Sequence, residues 1–265
     1  GDLFDKGLRH SSIGTHRSAI SAFHCHHNGL PTGVAPEICR LMKGIGNLRP
    51  ALPKYTTIWD VDDVLHTLDN IDNKNTSIDL LAKKAATLLG LVTIPRGCRI
   101  HKMNTELMAE TKNSFTFFFI TPAIHSQTGK RGEDITIHSF PENPNLCPVE
   151  TLRIYLNTSK NWRELHKETS LFLSTINPHL GVAKCTIARW VKNILNMSNI
   201  NTDCYQAHSI RGASSSKAYK QGLSLKDILK RGNWSRESTW QKYYHKPIHN
   251  PSLEYQNSVL RTKKL

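Results

Sequence analysis

A histidine and an arginine stand three places apart at His208 and Arg211, inside "AHSIRGASSSKAYKQG" (207–222). On a helix that spacing puts both side chains on one face, where an imidazole and a guanidinium can hold the same phosphate. The plainer reading is a surface turn running into an ordinary amphipathic helix of alanines and serines. Trp234 and the adjacent pair Tyr243–Tyr244 follow closely in the chain. Phosphodiester chemistry without a metal needs cations on the nonbridging oxygens, a proton donor for the leaving oxygen, and a nucleophile. Arginine suits the first task because its planar fork binds two oxygens at once. Histidine moves protons near neutral pH. A tyrosine hydroxyl, with an ordinary pKa of about 10, attacks phosphorus only where a cationic pocket stabilises the developing phenolate. No HExxH and no Walker-type glycine loop competes with this reading.

The bulk composition agrees. The 265 residues carry 35 basic and 21 acidic side chains, a net charge of +14, which favours a polyanionic partner. The basic residues are spread over several segments, which suits a surface laid on double-stranded DNA better than a membrane-bound amphipathic helix. No apolar run approaches the ~18 residues a membrane span needs. The opening "GDLFDKGLRH" has no signal-peptide pattern and reads as the start of a piece of a longer chain. The six cysteines (Cys25, Cys39, Cys98, Cys147, Cys185, Cys204) form no CxxC pair, which predicts reduced, intracellular thiols. "HCHH" at 24–27, with Cys39 downstream, is the one stretch that hints at zinc, and its adjacent ligands match no recognised zinc spacing.

Elements that could position these groups follow from periodicity and punctuation. Helices are predicted over 8–27 and from Pro36 to residue 50, with the prolines of "RPALPKY" (49–55) marking a boundary. Beyond it, "TTIWDVDDVLHTLDNI" predicts a helix capped by Thr57 or Asp60, and "SIDLLAKKAATLLGLVTI" one capped by Ser77. "SFTFFFITP" and "DITIHSF" read as two strands joined by the turn "HSQTGKRGE". Helices return over "CPVETLRIYLNTS", "KCTIARWVKNILNMS", the segment opened by His208, "SLKDILKRGN" and "SRESTWQKYYHK". The expected fold is mainly α with one small antiparallel β-sheet, an α+β architecture.

The order of motifs in "AHSIRGASSSKAYKQGLSLKDILKRGNWSRESTWQKYYHKP" resembles the catalytic segment of tyrosine recombinases, the phage-integrase class. Within that class it most resembles the branch of DIRS-like retrotransposons and crypton-type elements. "ICRLMKG" with "LRP" (38–50), "YTTIWDVDDVL" (55–65) and "FPENPNLCPVETLRIYL" (140–156) resemble that branch too, so the likeness spans residues 8–250. It implies the C-terminal part of a helical core-binding domain at 1–50, a linker at 51–53, a catalytic domain at 54–247, and a tail at 248–265 that packs on a neighbouring protomer or stays solvated. It further implies a nuclear enzyme that acts on DNA as a homodimer or tetramer, with no cofactor and no small-molecule substrate.

Roles carry over position by position. His208 and Arg211 match the family's HxxR pair, Arg211 clamping the scissile phosphate and His208 assisting proton transfer. Trp234 falls where the family has histidine or tryptophan, its indole N–H available to a phosphate oxygen. The nucleophile is Tyr244 by the "YYHKP" pattern of the retroelement branch, or Tyr243 by the spacing of many other members. The first arginine is Arg96 after "LVTIP", with Arg99 as the other choice; where many relatives have an acid three places beyond the first arginine, this chain has Arg99. Lys130 in "QTGKRG" matches the lysine that serves as acid to the leaving 5′ oxygen. Lys102, Lys112 and Lys217 are expected to meet phosphate or solvent. The same residues also fit a recombinase-derived DNA-binding protein that has lost strand cleavage, although such a protein has no chemical need for Arg96, His208, Arg211, Trp234 and Tyr244 together.

Overall fold

The computed structural model describes residues 1–24, 26, 29–50, 55–94, 97–120, 134–248, 256 and 258–260, with backbone alone at 97 and 98. The chain forms two compact units, Gly1–Lys54 and Tyr55–Leu265. The 51–53 linker and most of the 248–265 tail lie outside the described residues, as do Cys25 and His27 of "HCHH".

The first unit is helical: α1 (Asp2–Asp5), α2 (His10–Phe23) and α3 (Pro36–Leu48). Pro36 sits at the first position of α3, where its missing N–H costs nothing. Ile13, Met42 and Ile45 form a small core with Leu3, Phe4 and Leu8 around it. Arg49 closes the unit by donating to the carbonyls of Phe4 and Leu8, at 3.2 and 2.8 Å.

The second unit is larger. It begins with α4 (Val61–Asp69), capped by the Asp60 carboxylate, and α5 (Ile78–Thr93), capped by the Ser77 hydroxyl. A side-chain oxygen at that position satisfies one of the N–H groups a helix start leaves unpaired. The short α6 (Gly97–Ile100) leads to β1 (Met108–Thr111), β2 (Ser114–Phe117) and β3 (Ile135–His138). They form one antiparallel sheet in the order β1-β2-β3, with Met108 opposite Phe117 and Phe115 opposite Ile137. The sheet has three strands rather than two because "MAET" pairs as an edge. The rest is helical: α7 (Pro148–Thr158), α8 (Lys160–His166), α9 (Lys184–Met197), α10 (Ile210–Lys220), α11 (Leu225–Gly232) and α12 (Glu237–Tyr243).

Helix α5 is apolar nearly all round and is accordingly buried. On one side Leu81 and Leu89 pack with Phe115, Phe117, Leu152, Tyr155 and Trp190. On the other, Leu88 joins Val64, Leu68, Val191, Ile194, Ile210 and Ala213. Burying each such side chain stabilises the fold by roughly 1.5–3 kcal/mol. A third, smaller cluster of Ile94, Ile228, Trp234 and Trp240 lies against Tyr244. The architecture is thus mainly α with one small antiparallel sheet. Among the described residues no helix is long and apolar enough to cross a membrane.

Candidate active site

The site grows out of α10. A 3₁₀ turn, Ala207–Ser209, carries His208 into the helix, and Trp59 Nε1 pins that turn by donating to Ser209 Oγ at 2.8 Å. Helix α10 packs closely on α5, where a methyl at Gly90 would stand 3.0 Å from Ile210. Helix α10 has almost no amphipathic pattern; Ala213, Ser215 and Ser216 are buried because neighbours cover both sides.

Arg211 is 1% exposed. One Nη donates to the carbonyl of Ile94, and the other donates to that of Gly232 at 2.8 Å. Both acceptors lie at helix ends, where carbonyls lack intrahelical partners. Ile94 caps α5 in the left-handed conformation, and Asn233 does the same after α11. Asparagine tolerates that conformation, and it turns the chain directly into Trp234. Above this anchor, the Arg211 guanidinium carbon lies 4.6 Å from the Trp234 ring centre and 5.4 Å from that of Tyr244. The fork expected on phosphate is therefore also a brace holding α5, α10 and α11 together.

Trp234 is 8% exposed, and its Nε1 has no hydrogen-bond partner among the described residues. A buried donor left without an acceptor costs roughly 1–3 kcal/mol, so this N–H awaits one. Its ring packs on Tyr244 at 4.7 Å between centres and leaves no room beside it: a methyl at Gly232 would stand 1.9 Å from the indole.

Tyr244 follows α12 directly and is tied from behind. Ser216 Oγ donates to its carbonyl at 3.2 Å and accepts from the N–H of Lys246, while the carbonyl of Pro247 accepts from the N–H of Ile58. Trp240, buried in the same cluster, donates to Ser215 Oγ at 2.9 Å. The half-buried Tyr244 side chain presents its hydroxyl 3.4 Å from His208 Nε2. Tyr243 points elsewhere: it is 60% exposed, with the Lys242 ammonium over its ring.

One edge of His208 is open to solvent, yet its proton affinity is held below that of an ordinary histidine. Loss of hydration against its neighbours is the main cause, followed by the positive charges of Arg211 and Lys184. A neutral imidazole beside a tyrosine hydroxyl is an acceptor for the phenolic proton.

The structure thus brings His208, Arg211, Trp234 and Tyr244 together. Arg96 and Lys130 lie outside the described residues, and so does the whole "HSQTGKRGE" turn, 125–133. Arg99 places its guanidinium over Phe119, 4.6 Å from the ring centre. Lys217, expected at phosphate or solvent, instead pairs with Asp62; the two meet because α10 packs near the start of α4. Arg231 and Lys184 were not singled out by motif. Arg231 donates to the carbonyls of Val92 and Thr136, both at 3.1 Å, linking α11 to α5 and β3. Its signal in sequence is only a basic residue near a helix end. Among the described residues no group of three His, Cys, Asp or Glu could hold a metal ion.

No model of a known protein family matches the chain, and no curated protein matches it. Solved structures do. The XerH site-specific recombinase bound to palindromic difH substrate, a post-cleavage complex, aligns with a TM-score of 0.61 at 15% identity, covering 97% of this chain and 69% of that one. XerA recombinase aligns with a TM-score of 0.52 at 15% identity, over 97% and 85% of the two chains. A lambda integrase(75-356) dimer bound to a COC′ core site aligns at 0.51 and 16% identity, over 100% and 79%. At such identities the likeness concerns the fold, and the fold is that of the tyrosine recombinases.

Proposed function

We propose that this chain is a DNA tyrosine recombinase, or integrase, of a mobile element. One observation carries the reading: the Tyr244 hydroxyl, the His208 imidazole, the Arg211 guanidinium and the unpartnered Trp234 N–H converge at one place in this fold. The Tyr244 oxygen attacks a backbone phosphorus as its proton passes to His208 Nε2. The bond to the 5′ oxygen breaks, leaving a 3′-phosphotyrosyl link and a 5′ hydroxyl that takes a proton from an acid, the role expected of Lys130. Arg96 and Arg211 balance the charge gathering on the nonbridging oxygens, and Trp234 Nε1 donates to one of them. A 5′ hydroxyl from another strand then reverses the steps and reseals the DNA. Bond energy is conserved in the phosphotyrosyl link, so neither ATP nor a metal is required.

The net charge of +14 supports double-stranded DNA as partner. The DNA-bound dimeric lambda integrase among the structural neighbours supports assembly as a dimer or tetramer on DNA. The "YYHKP" and "FPENPNLCPVETLRIYL" segments support a DIRS-like or crypton-type element as source, and with it a nuclear site of action.

Covalent capture tests this reading. The chain is incubated with nicked duplexes from the ends of its element, beside random duplexes, and denaturing gels are read for a protein–DNA adduct. Wild type and Tyr243→Phe are expected to form the adduct and Tyr244→Phe to lose it. Loss in Tyr243→Phe alone moves the nucleophile by one residue. Tight DNA binding with no adduct from any form returns the chain to a binding protein that has lost cleavage.

A further inference from the structure

Beside His208 lies a cavity of about 370 Å³, lined by Lys184, His208 and Arg211 together with glycine, alanine and aliphatic side chains such as Ile187 and Val191. Lys184 is the first residue of α9, a position where the macrodipole is positive and a cation is destabilising by roughly 0.3–1 kcal/mol. Nothing local offsets this: the first turn of α9 has no acidic residue, and Ala183 supplies no capping side chain. Among the described residues no carboxylate pairs with Lys184, whereas Lys83 pairs with Asp79 and Lys217 with Asp62. An exposed, unneutralised ammonium held at an unfavourable helix end, on a cavity it shares with two candidate catalytic groups, is placed for an anion.

Resting on the recombinase reading, we propose that Lys184 is a further phosphate-binding residue of the active site, its ammonium holding a nonbridging oxygen of the DNA backbone at the His208 side of the scissile position. Lys184 then acts on the reaction twice. It neutralises backbone charge, and its field disfavours protonation of His208. Among the described residues, the charged or titratable groups facing His208 are Tyr244 after α12, Arg211 on α10 and Lys184 on α9; α5 and α6 contribute Gly90 and Ile100 to the same cavity.

Two measurements on the full chain test this. The first needs no DNA: the imidazole signal of His208, assigned by its loss in His208→Asn, is titrated by NMR in wild type, Lys184→Met and Lys184→Arg. The His208 midpoint is expected to move to higher pH in Lys184→Met and to return in Lys184→Arg. The second is the salt dependence of binding to random-sequence duplex DNA. Removing one phosphate contact lowers the slope of log K against log[salt] by about 0.9, and Lys184→Arg restores it. An unmoved His208 midpoint, or an unchanged salt slope, overturns the proposal. A wild-type chain that binds DNA and forms no adduct overturns the recombinase reading instead, and leaves both of these readouts to decide where Lys184 acts.

Discussion

The Tyr244 hydroxyl lies 3.4 Å from His208 Nε2, across an edge-to-face contact between rings whose centres are 5.8 Å apart. The distance is long for a hydrogen bond between two neutral groups. Catalytic hydrogen bonds are commonly loose before substrate binds, and on the proposed function a phosphate entering between Arg211 and Trp234 gives both rings a reason to close. The pair is fixed from below. Arg211 sits under both Trp234 and Tyr244, and Ser216 holds the backbone of Tyr244 against α10.

On the proposed function, the pH dependence of strand cleavage follows from the state of His208. Its imidazole must be neutral to accept the phenolic proton. Loss of hydration, then the charges of Arg211 and Lys184, lower its pKa from 6.5. The group is therefore neutral at pH 7, and cleavage is expected to hold steady there and to fall only as the pH drops below 6.5. In His208→Gln the acid limb disappears and the rate falls by about 10²- to 10⁴-fold. Single-turnover cleavage of a nicked duplex across pH reads both effects; an unchanged acid limb in His208→Gln removes the histidine from the proton path.

Arg211→Lys separates brace from charge. An ammonium cannot span the carbonyls of Ile94 and Gly232 as the fork does. Leaving one buried acceptor unmet costs about 1–3 kcal/mol, so thermal unfolding is expected at lower temperature although the positive charge is kept. Adduct formation is expected to be lost as well, because Trp234 and Tyr244 rest on the guanidinium. A variant that unfolds like wild type contradicts the brace.

The parts of this fold legible in sequence are those set by local chemistry. Ser77 and Asp60 cap the helices their side chains predict, and Pro36 opens α3. What escaped was set by neighbours. β1 is an edge strand of four residues with three exposed, so it shows neither alternation nor aromatic content. The helix predicted over 8–27 runs only from His10 to Phe23, since nothing beyond Phe23 continues its apolar stripe. The sequence brought His208, Arg211, Trp234 and Tyr244 into view as a set through the order of motifs. It could not show that Arg211 is spent partly on backbone, because its acceptors come from residues 94 and 232.

Gly232→Ala tests the packing of Trp234. A methyl at this position would stand 1.9 Å from Cζ3 of the indole, so the ring must leave its place between Arg211 and Tyr244. Overpacking of this kind costs about 1–3 kcal/mol. Cleavage is expected to fall more steeply than stability, with DNA affinity, which depends on many phosphate contacts, close to wild type. Tryptophan fluorescence, unfolding temperature and adduct yield measured together check this. Wild-type values of all three mean that the indole position does not matter to the site.

Independently of the proposed function, Lys84 carries its own prediction. It is fully buried in α5 and donates to the carbonyl of Ile71 at 2.5 Å. Desolvation lowers its pKa from 10.5 to about 8, against the opposing pull of Asp69 and Asp72. Between those values the unfolded chain binds the proton and the folded chain releases it, so stability rises with pH through this window and is lower below it. At 1.36 kcal/mol per pKa unit the full effect is about 3 kcal/mol. Lys84→Met removes the titration, and its stability is expected to show none of the rise from pH 8 to 10.5 that this lysine contributes. Denaturant unfolding of both forms at several pH values measures the difference. If the gap between them stays constant from pH 7 to 10.5, Lys84 titrates alike in the folded and unfolded chains, and the carbonyl of Ile71 holds a fully charged ammonium in the core.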